Sequence, residues 1–191
     1  MKLYSYVVEH DTGRAPNPYF GVCTLCRCKY RSSPGKPKNV VELAKKGDWI
    51  VGTGGANRRR SAGHGKLVYA MRVDEKLTRK KYYADPRFAK KRVEKSPQGD
   101  NEPPGGSFEA CEQFALISRR FYYFGASAID IPRRFLKLGL EKKGRWFRCD
   151  FPDVRGFAEW IEAHHKPGKH GEPCMKPMDK SKGSKRCGSS C

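Results

Sequence analysis

The chain has 191 residues, with 40 Lys and Arg against 20 Asp and Glu, and a formal net charge of +20. A surplus this large creates a positive field that attracts polyanions, phosphate backbones first among them. No stretch approaches the roughly 18 to 20 apolar residues that span a bilayer, which excludes a membrane-spanning helix. We therefore expect nucleic acid as the partner, and no membrane.

The first eight residues, MKLYSYVV, are too polar to predict a signal peptide. We expect a cytoplasmic protein whose eight cysteines are mostly reduced. Composition leaves the oligomeric state open.

Short strands linked by polar loops are expected in the first half of the chain. Residues 3–8 are aromatic and β-branched, which predicts a buried strand. We expect a short helix over residues 40–46. A Gly-Asp turn opens a strand over residues 49–52, and residues 66–73 alternate in polarity as a second strand. These two strands predict a hairpin with a long loop.

The second half is expected to combine short helices, core strands and a long loop. Thr78 is suited to cap a helix that ends near Asp85, because the residue before a proline avoids the helical region. Residues 93–107 are rich in Pro, Gly and charged side chains, which predicts a surface loop. Apolar residues between 114 and 125 return the chain to the core, and residues 144–151 predict a half-exposed strand.

The clearest helix follows Asp153, a suitable N-cap. Its apolar stripe at helical spacing is interpreted as core packing, and it consists of Val154, Phe157, Trp160 and Ile161. Beyond His165 the chain lacks periodic apolar residues, which predicts a disordered basic tail over residues 166–191. The length suits one domain, over residues 1–165.

A cluster of three cysteines raises the question of a metal site. Cys23, Cys26 and Cys28 are spaced so that a turn could bring their thiolates to one zinc ion. A structural zinc needs four ligands, and a second half-site at standard spacing is missing, so reduced buried cysteines are the default interpretation. No motif indicates a cofactor, and we predict none.

Four polar loop residues are candidates for acid, base or metal-ligand roles: His10, Asp11, Asp48 and Asp100. Residues of these types more often form turns, so the enzyme interpretation stays open beside the structural one. The Thr53-Gly54-Gly55 turn could hold a phosphate, but it lacks the Gly-Lys-Ser/Thr ending of a P-loop.

Aromatic and basic residues alternate near the predicted strand ends. Aromatic faces stack on bases, while arginines neutralise phosphates. The aromatic candidates are Trp49, Tyr69, Tyr122, Tyr123 and Trp146, and the basic ones are Arg58, Arg59, Arg60, Arg119, Arg120 and Arg145. About half of these aromatic side chains must be ordinary core residues, and the sequence does not say which.

Several segments, taken in order, carry a more specific signal. They are residues 4–8, 11–25, 47–54 and 67–73, followed by the shorter pieces 85–88, 99–101, 123–125 and 131–132. Together they resemble the second type of nucleotide modification associated domain, found in prokaryotes and their phages. The resemblance spans roughly residues 3 to 152, and Cys26 and the long tail depart from it.

The resemblance implies a role in making, reading or tolerating modified DNA. Its Gly-Asp-Trp-Ile segment is shared with the PUA-like superfamily, which includes the EVE, ASCH and YTH groups. We therefore expect an α+β fold with a small, strongly curved mixed sheet or a PUA-like β-barrel and flanking helices.

The leading hypothesis is a reader of modified DNA bases. The predicted base pocket comprises Asn17, Tyr19, Trp49, Thr53, Gly54, Tyr69 and Tyr123, and phosphates would be bound by Arg58, Arg59, Arg60, Arg119 and Arg120. The alternatives are an enzyme acting on a nucleotide or base in DNA hypermodification, and a nonspecific basic polyanion binder.

Overall fold

The computed structural model describes residues 1–26, 30–31, 38–103, 114–141 and 147–175, and its α+β class confirms the prediction. Its strands are β1 (Leu3–Val8), β2 (Cys23–Leu25), β3 (Tyr30–Arg31), β4 (Lys38–Asn39), β5 (Trp49–Gly54), β6 (Lys66–Arg72), β7 (Glu75–Thr78), β8 (Phe114–Ser118), β9 (Phe121–Tyr123), β10 (Ile129–Asp130), β11 (Phe147–Arg148) and β12 (Gly168–Lys169). The α-helices are α1 (Val40–Leu43), α2 (Arg79–Ala84), α3 (Arg133–Lys137) and α4 (Val154–His164), and Pro86–Lys91 and Gly125–Ser127 form 3-10 helices. None of the helices in these ranges is long and apolar enough to cross a membrane.

A seven-stranded mixed sheet is the centre of the fold. Its main path runs β11-β1-β5-β6-β9-β12, and β10 pairs with the start of β6. β1 and β5 are parallel, as are β9 and β12, whereas β5 and β6 form the predicted antiparallel hairpin. Within the described residues β11 and β12 lie at opposite edges, so the sheet is open and the barrel alternative is not formed.

A smaller antiparallel sheet, ordered β2-β8-β7, lies against one face of the large sheet. Buried residues of both sheets meet in one apolar cluster, which includes Tyr6, Leu25 and Leu116. The opposite face of the large sheet is covered by α3 and α4, through side chains such as Phe135 and Phe157. The molecule is therefore layered, with helices, large sheet and small sheet in that order.

Side-chain alternation explains this layering. Ile50 of β5 belongs to the cluster between the sheets, while its neighbours Trp49 and Val51 belong to the cluster beneath the helices. Successive residues of a strand point to opposite faces, so a strand buried on both sides is apolar throughout. A third cluster, with Tyr82 and Phe88, covers the outer side of the small sheet.

The predicted helix caps are confirmed. The Thr78 side chain accepts a hydrogen bond from Lys81 N at the start of α2, and Asp153 Oδ1 accepts one from Gly156 N at 2.9 Å at the start of α4. Asn39 caps α1 in the same way, but α1 ends at Leu43, three residues before the predicted end. The strand predicted over 144–151 is observed as β11 alone, and residues 142–146 lie outside the described residues.

The segment after His165 corrects a prediction. Its strand β12 pairs in parallel with Tyr122 and Tyr123, and His170 N donates to Tyr123 O at 2.7 Å. Further along, Ala126 N donates to Glu172 O and Met175 N to Asp11 O. A disordered tail from residue 166 is therefore wrong for residues 166–175, which we call the strap. Residues 176–191 of the predicted tail lie outside the described residues.

Candidate functional site

An open cleft of about 420 Å³ lies where the parallel strands β1 and β5 end. We call it the basic cleft, and its lining residues are Val7, Glu9, His10, Gly55, Ala56, Asn57, Arg60 and His64. The last residue pair of the two strands is Val8 and Gly54, and the cleft residues Glu9, His10 and Gly55 follow these ends directly. Loops at the carboxyl ends of parallel strands commonly form ligand sites in α/β sheets.

The loop over residues 55–63, the Arg loop, is held in a tight turn. Asn57 Oδ1 accepts a hydrogen bond from Arg59 N at 3.1 Å, and Ser61 Oγ accepts one from Gly55 N at 2.8 Å. A Cβ on Gly54 would lie 1.9 Å from Gly63 O, so only glycine permits this close return of the chain. The turn leaves Arg58, Arg59 and Arg60 exposed.

One arginine and two histidines line the basic cleft. Arg60 Nη1 lies 3.3 Å from His10 Nε2, and the imidazole nitrogen must accept here because a guanidinium has no acceptor. His64 Nδ1 contacts Glu141 Oε1 at 3.1 Å, which orients the ring. Because Arg60 also presents further N–H groups, the cleft suits an anionic ligand.

A buried carboxyl group lies behind the basic cleft. Asp11 is 1% exposed, and its backbone N donates to Arg60 O at 2.8 Å. Its side chain accepts hydrogen bonds from Tyr123 OH at 2.5 Å and from Cys174 N of the strap at 3.1 Å. Burial raises the pKa of Asp11, and these two hydrogen bonds oppose part of that effect.

A second polar group lies on the outer side of the small sheet, and we call it the Lys91 network. Its members are Asn17, Thr24, Tyr82, Lys91 and Asp100, all buried. Lys91 Nζ donates to Asn17 O at 3.1 Å, to Asn17 Oδ1 at 2.7 Å and to Thr24 Oγ1 at 3.0 Å. The three N–H donors of the ammonium group thus all have acceptors.

Asp100 provides the negative charge of the Lys91 network. It accepts hydrogen bonds from Thr24 Oγ1 at 2.5 Å and from Tyr82 OH at 2.9 Å. The Thr24 hydroxyl therefore accepts from the ammonium group and donates to the carboxylate, which links the two charges. Burial lowers the pKa of Lys91, while the charge of Asp100 raises it.

The family model of nucleotide modification associated domain 2 matches residues 1–103 and 94–181, which together cover most of the chain. The chain belongs to this family. Its name associates it with nucleotide modification. A search of curated proteins and a search of solved structures found no match.

The family match also includes much of the carboxyl-terminal region. It extends past residue 152, where the resemblance seen in the sequence stops, and it includes the strap. Segments 11–25 and 99–101 of the resemblance meet at the Lys91 network, and segment 85–88 opens the 3-10 helix that ends at Lys91. Lys91 itself was missed by sequence reasoning, although it lies between two of these segments.

The residues predicted to form a base pocket are not brought together. Trp49 is 1% exposed, stacks on Tyr122 with ring centroids 6.3 Å apart and packs beneath α4. Tyr69 and Tyr123 lie on the opposite face of the large sheet. Because neighbouring strand residues alternate in direction, no single pocket can be bordered by both sets.

The other predicted pocket residues have structural partners. Thr53 Oγ1 donates to Tyr6 O at 3.3 Å, Gly54 packs against Gly63, and Asn17 belongs to the Lys91 network. Tyr19 is half-buried, and Lys169 Nζ lies 5.2 Å from its ring centroid. Trp146 and Arg145 lie outside the described residues.

The predicted phosphate-binding arginines divide into two groups. Arg119 and Arg120 lie beside the start of β5, where Arg72 N donates to Arg120 O, whereas the Arg loop follows the end of β5. The length of β5 separates these ends by roughly 17 Å. Arg120 Nη1 also pairs with Glu162 Oε1 at 3.1 Å, so the two groups do not share the basic cleft.

The four predicted catalytic candidates occupy four environments. His10 lines the basic cleft, Asp11 lies behind it, and Asp100 belongs to the Lys91 network. Asp48 accepts hydrogen bonds from Lys2 N at 2.7 Å and Lys45 N at 3.0 Å, which gives it a turn-forming role at the far end of β5.

The cysteines that could bind zinc are unfavourably placed. Cys23 and Cys26 belong to clusters on opposite sides of the small sheet, and Cys28 lies outside the described residues. Burial raises the pKa of Cys23 to about 12 and also raises that of Cys26, which opposes the thiolate form that zinc requires. In the described part of the chain, no group of three or more His, Cys, Asp and Glu could hold a metal ion.

Proposed function

We propose that the chain binds nucleic acid through the basic cleft and the Arg loop, and that it acts in this way on modified DNA. One observation carries the proposal: His10, Asn57, Arg60 and His64 converge where two parallel strands end, beside two further exposed arginines. Arginine and asparagine side chains donate hydrogen bonds to phosphate oxygens.

The charges of the Arg loop support a polyanionic ligand. Arg58 and Arg59 are exposed, and neither side chain forms an ion pair within the described residues. Unpaired cations on a tight loop are repelled by one another and by the net charge of +20. A phosphate backbone would neutralise them, which favours association.

The dimensions of the basic cleft support a ligand the size of a nucleotide. Its volume of about 420 Å³ falls within the range of roughly 300 to 1,000 Å³ that small-molecule sites occupy. A phosphate would contact Arg60 at the rim while the sugar or base entered the cleft. The association of the family with nucleotide modification supports DNA with modified bases as the ligand.

Binding of modified and unmodified duplex and single-stranded oligonucleotides across a salt series tests the proposal. We expect affinity to fall with salt, and Arg60→Gln to weaken binding at every salt concentration. Arg155→Gln is the matched control, because Arg155 is equally cationic but pairs with Glu159 on α4. No binding, or equal losses in the two variants, would remove the basic cleft as the site.

The same measurements separate a reader from a nonspecific polyanion binder. A reader prefers the modified oligonucleotide at high salt, when backbone attraction has been screened. Equal affinity for modified and unmodified DNA would leave a polyanion binder only.

An enzyme acting on a nucleotide is a second candidate, favoured by Asp11. The raised pKa of Asp11 suits a proton donor, and the Asp11 backbone N donates a hydrogen bond to Arg60 O at the back of the basic cleft. A substrate would reach the Asp11 carboxyl group only after displacement of the strap, because Cys174 N of the strap donates a hydrogen bond to that group. Incubation of nucleotides and oligonucleotides with wild type and Asp11→Asn tests this function, since turnover must appear and must be lost in the variant.

A further inference from the structure

Phe20 is an exposed aromatic side chain, whereas the other Phe, Tyr and Trp side chains whose burial the structure describes are buried or half-buried. It is 41% exposed, whereas Trp49, Tyr82 and Phe135 are at most 1% exposed. It is also the only Phe, Tyr or Trp of the described segments in the exposed class. Within those segments the only aromatic ring paired with it is that of Tyr19, at 6.3 Å between centroids. Part of the Phe20 side chain is therefore available to a ligand.

The backbone of Phe20 adopts an unfavourable conformation. Its φ of 61° lies in the left-handed region, and no other non-glycine residue of the described ranges has a positive φ. Bulky side chains rarely occupy this region, because Cβ approaches the following carbonyl oxygen. Such strain persists where surrounding contacts hold it, and it is often found at sites that bind ligands. An exposed ring contributes little to the core, so folding alone does not account for it.

The Lys91 network holds the loop that carries Phe20. Asn17 and Thr24 are joined by two backbone hydrogen bonds, Asn17 N to Thr24 O at 2.8 Å and Thr24 N to Asn17 O at 2.9 Å. These two residues are the base of the loop over residues 18–23. Lys91 Nζ donates to both of them, and Asn17 Oδ1 also accepts from Tyr19 N at 3.2 Å. The buried ammonium group thus fixes the loop and presents Phe20 at its tip.

Two cationic side chains lie beside the loop that carries Phe20. Lys169 of the strap lies over the ring of the neighbouring Tyr19 and also pairs with Glu172 of the strap. Arg14 lies before the same loop, with its guanidinium near Gly99 O at 3.5 Å. A cation beside an exposed aromatic face is the combination that single-stranded nucleic acids use, because the ring stacks on a base and the cation meets a phosphate. A single exposed ring is too small an apolar patch to indicate a protein partner.

We infer that Phe20 is a stacking site for an unpaired nucleobase. The inference rests on the proposed nucleic-acid binding and identifies single-stranded or locally unpaired nucleic acid as the ligand class. The ring face of any base can stack in this way, so the site recognises unpaired bases without reading their sequence.

The test compares a single-stranded oligonucleotide with an abasic oligomer of the same length and charge. We expect wild type to bind the base-bearing strand five- to 150-fold tighter, the ratio that corresponds to about 1–3 kcal/mol for one stacked base. Phe20→Gly should bring this ratio close to one, and Phe20→Trp should retain it. Leu138→Ala is the matched control, since Leu138 is 38% exposed and is the C-cap of α3.

The possible outcomes separate this inference from the proposed function. If wild type binds both oligomers equally, backbone binding stands and the stacking site is overturned. If Phe20→Gly retains the preference for bases, another residue carries it and the inference is again overturned. If wild type binds neither oligomer, the proposed function fails and the stacking site fails with it.

Discussion

The Lys91 network and the basic cleft are both built from polar residues that lie far apart in the sequence, but they differ in how their donors are used. In the network the three N–H groups of Lys91 have protein acceptors, and Lys91 is 1% exposed. In the cleft, Arg60 and His10 are exposed to solvent. A saturated, buried set of donors stabilises one conformation of the chain, whereas exposed donors remain available to a ligand.

This difference predicts that substitutions in the two regions affect different measurements. Changes in the Lys91 network should lower the free energy of unfolding, and they should alter binding only through the Phe20 loop. Changes in the basic cleft should weaken binding and leave stability close to that of wild type.

The largest expected effect is that of Lys91→Met. Removing the ammonium group leaves the buried Asp100 carboxylate without its cationic partner, which destabilises a protein by about 3–5 kcal/mol. Urea unfolding measures this change. Lys90→Met is the matched control, because Lys90 is exposed on the same 3-10 helix and should change stability by at most about 0.5 kcal/mol. Equal free energies of unfolding in the two variants would show that the Lys91 network has no stabilising role.

Replacing Arg58, Arg59 and Arg60 together by Gln should have the largest effect on binding. If each contacts one phosphate, the slope of log affinity against log salt becomes shallower by about 2–3, since each neutralised phosphate contributes about 0.7–0.9. Filter binding or fluorescence anisotropy at several salt concentrations measures the slope. An unchanged slope would show that phosphates bind elsewhere, while a loss of thermal stability would show that the Arg loop also holds the fold.

The buried carboxyl group of Asp11 should make the free energy of unfolding depend on pH. Because burial raises the pKa of Asp11, the folded state retains this proton more tightly than the unfolded chain. The resulting stabilisation is complete below the unfolded pKa of about 3.9 and is lost as the pH rises through the folded pKa. The free energy of unfolding of wild type should therefore fall relative to Asp11→Asn as the pH is raised.

Denaturant unfolding from pH 4 to pH 8 measures this difference. Asp130→Asn is the control, since Asp130 is an exposed partner of Lys66 and its variant retains Asp11. The curve of Asp130→Asn should run parallel to that of wild type. A constant difference between wild type and Asp11→Asn would contradict the raised pKa.

The smallest effect concerns the strain at Phe20. Glycine removes a left-handed penalty of about 1–2 kcal/mol but adds about 0.5–1 kcal/mol of unfolded-state entropy. Phe20→Gly should therefore stabilise the fold by about 0.5–1 kcal/mol, whereas Phe20→Ala keeps the penalty and should not. Thermal unfolding of the two variants measures the difference. Destabilisation by Phe20→Gly would mean that the ring contributes to packing.

Local features of the sequence predicted much of the secondary structure. The N-caps Thr78 and Asp153, and the apolar character of β1 and β5, act over a few residues and are visible as short patterns. The exposed Arg58–Arg60 group was also predictable, because a Gly-rich turn between two strands must lie at the surface. The family was recognisable from its ordered segments.

The prediction of a base pocket is wrong for a physical reason. The aromatic residues near strand ends were correctly placed on strands, but the face of the sheet to which each points depends on the strand register. That register comes from pairings such as Tyr69 with Tyr123, more than 50 residues along the chain. Trp49 was therefore indistinguishable in sequence from an aromatic residue that lines a pocket.

The sequence by itself determined the charge of the molecule, most of its strands and helix caps, and its family, because each depends on composition or on neighbouring residues. Only the tertiary structure decided that Lys91 contacts Asn17 and, through Thr24, Asp100, that Cys174 of the strap contacts Asp11, and that His10 contacts Arg60. These contacts unite residues separated by 50 to 163 positions. No short pattern encodes them, since they form only when the sheets, the helices and the strap pack together.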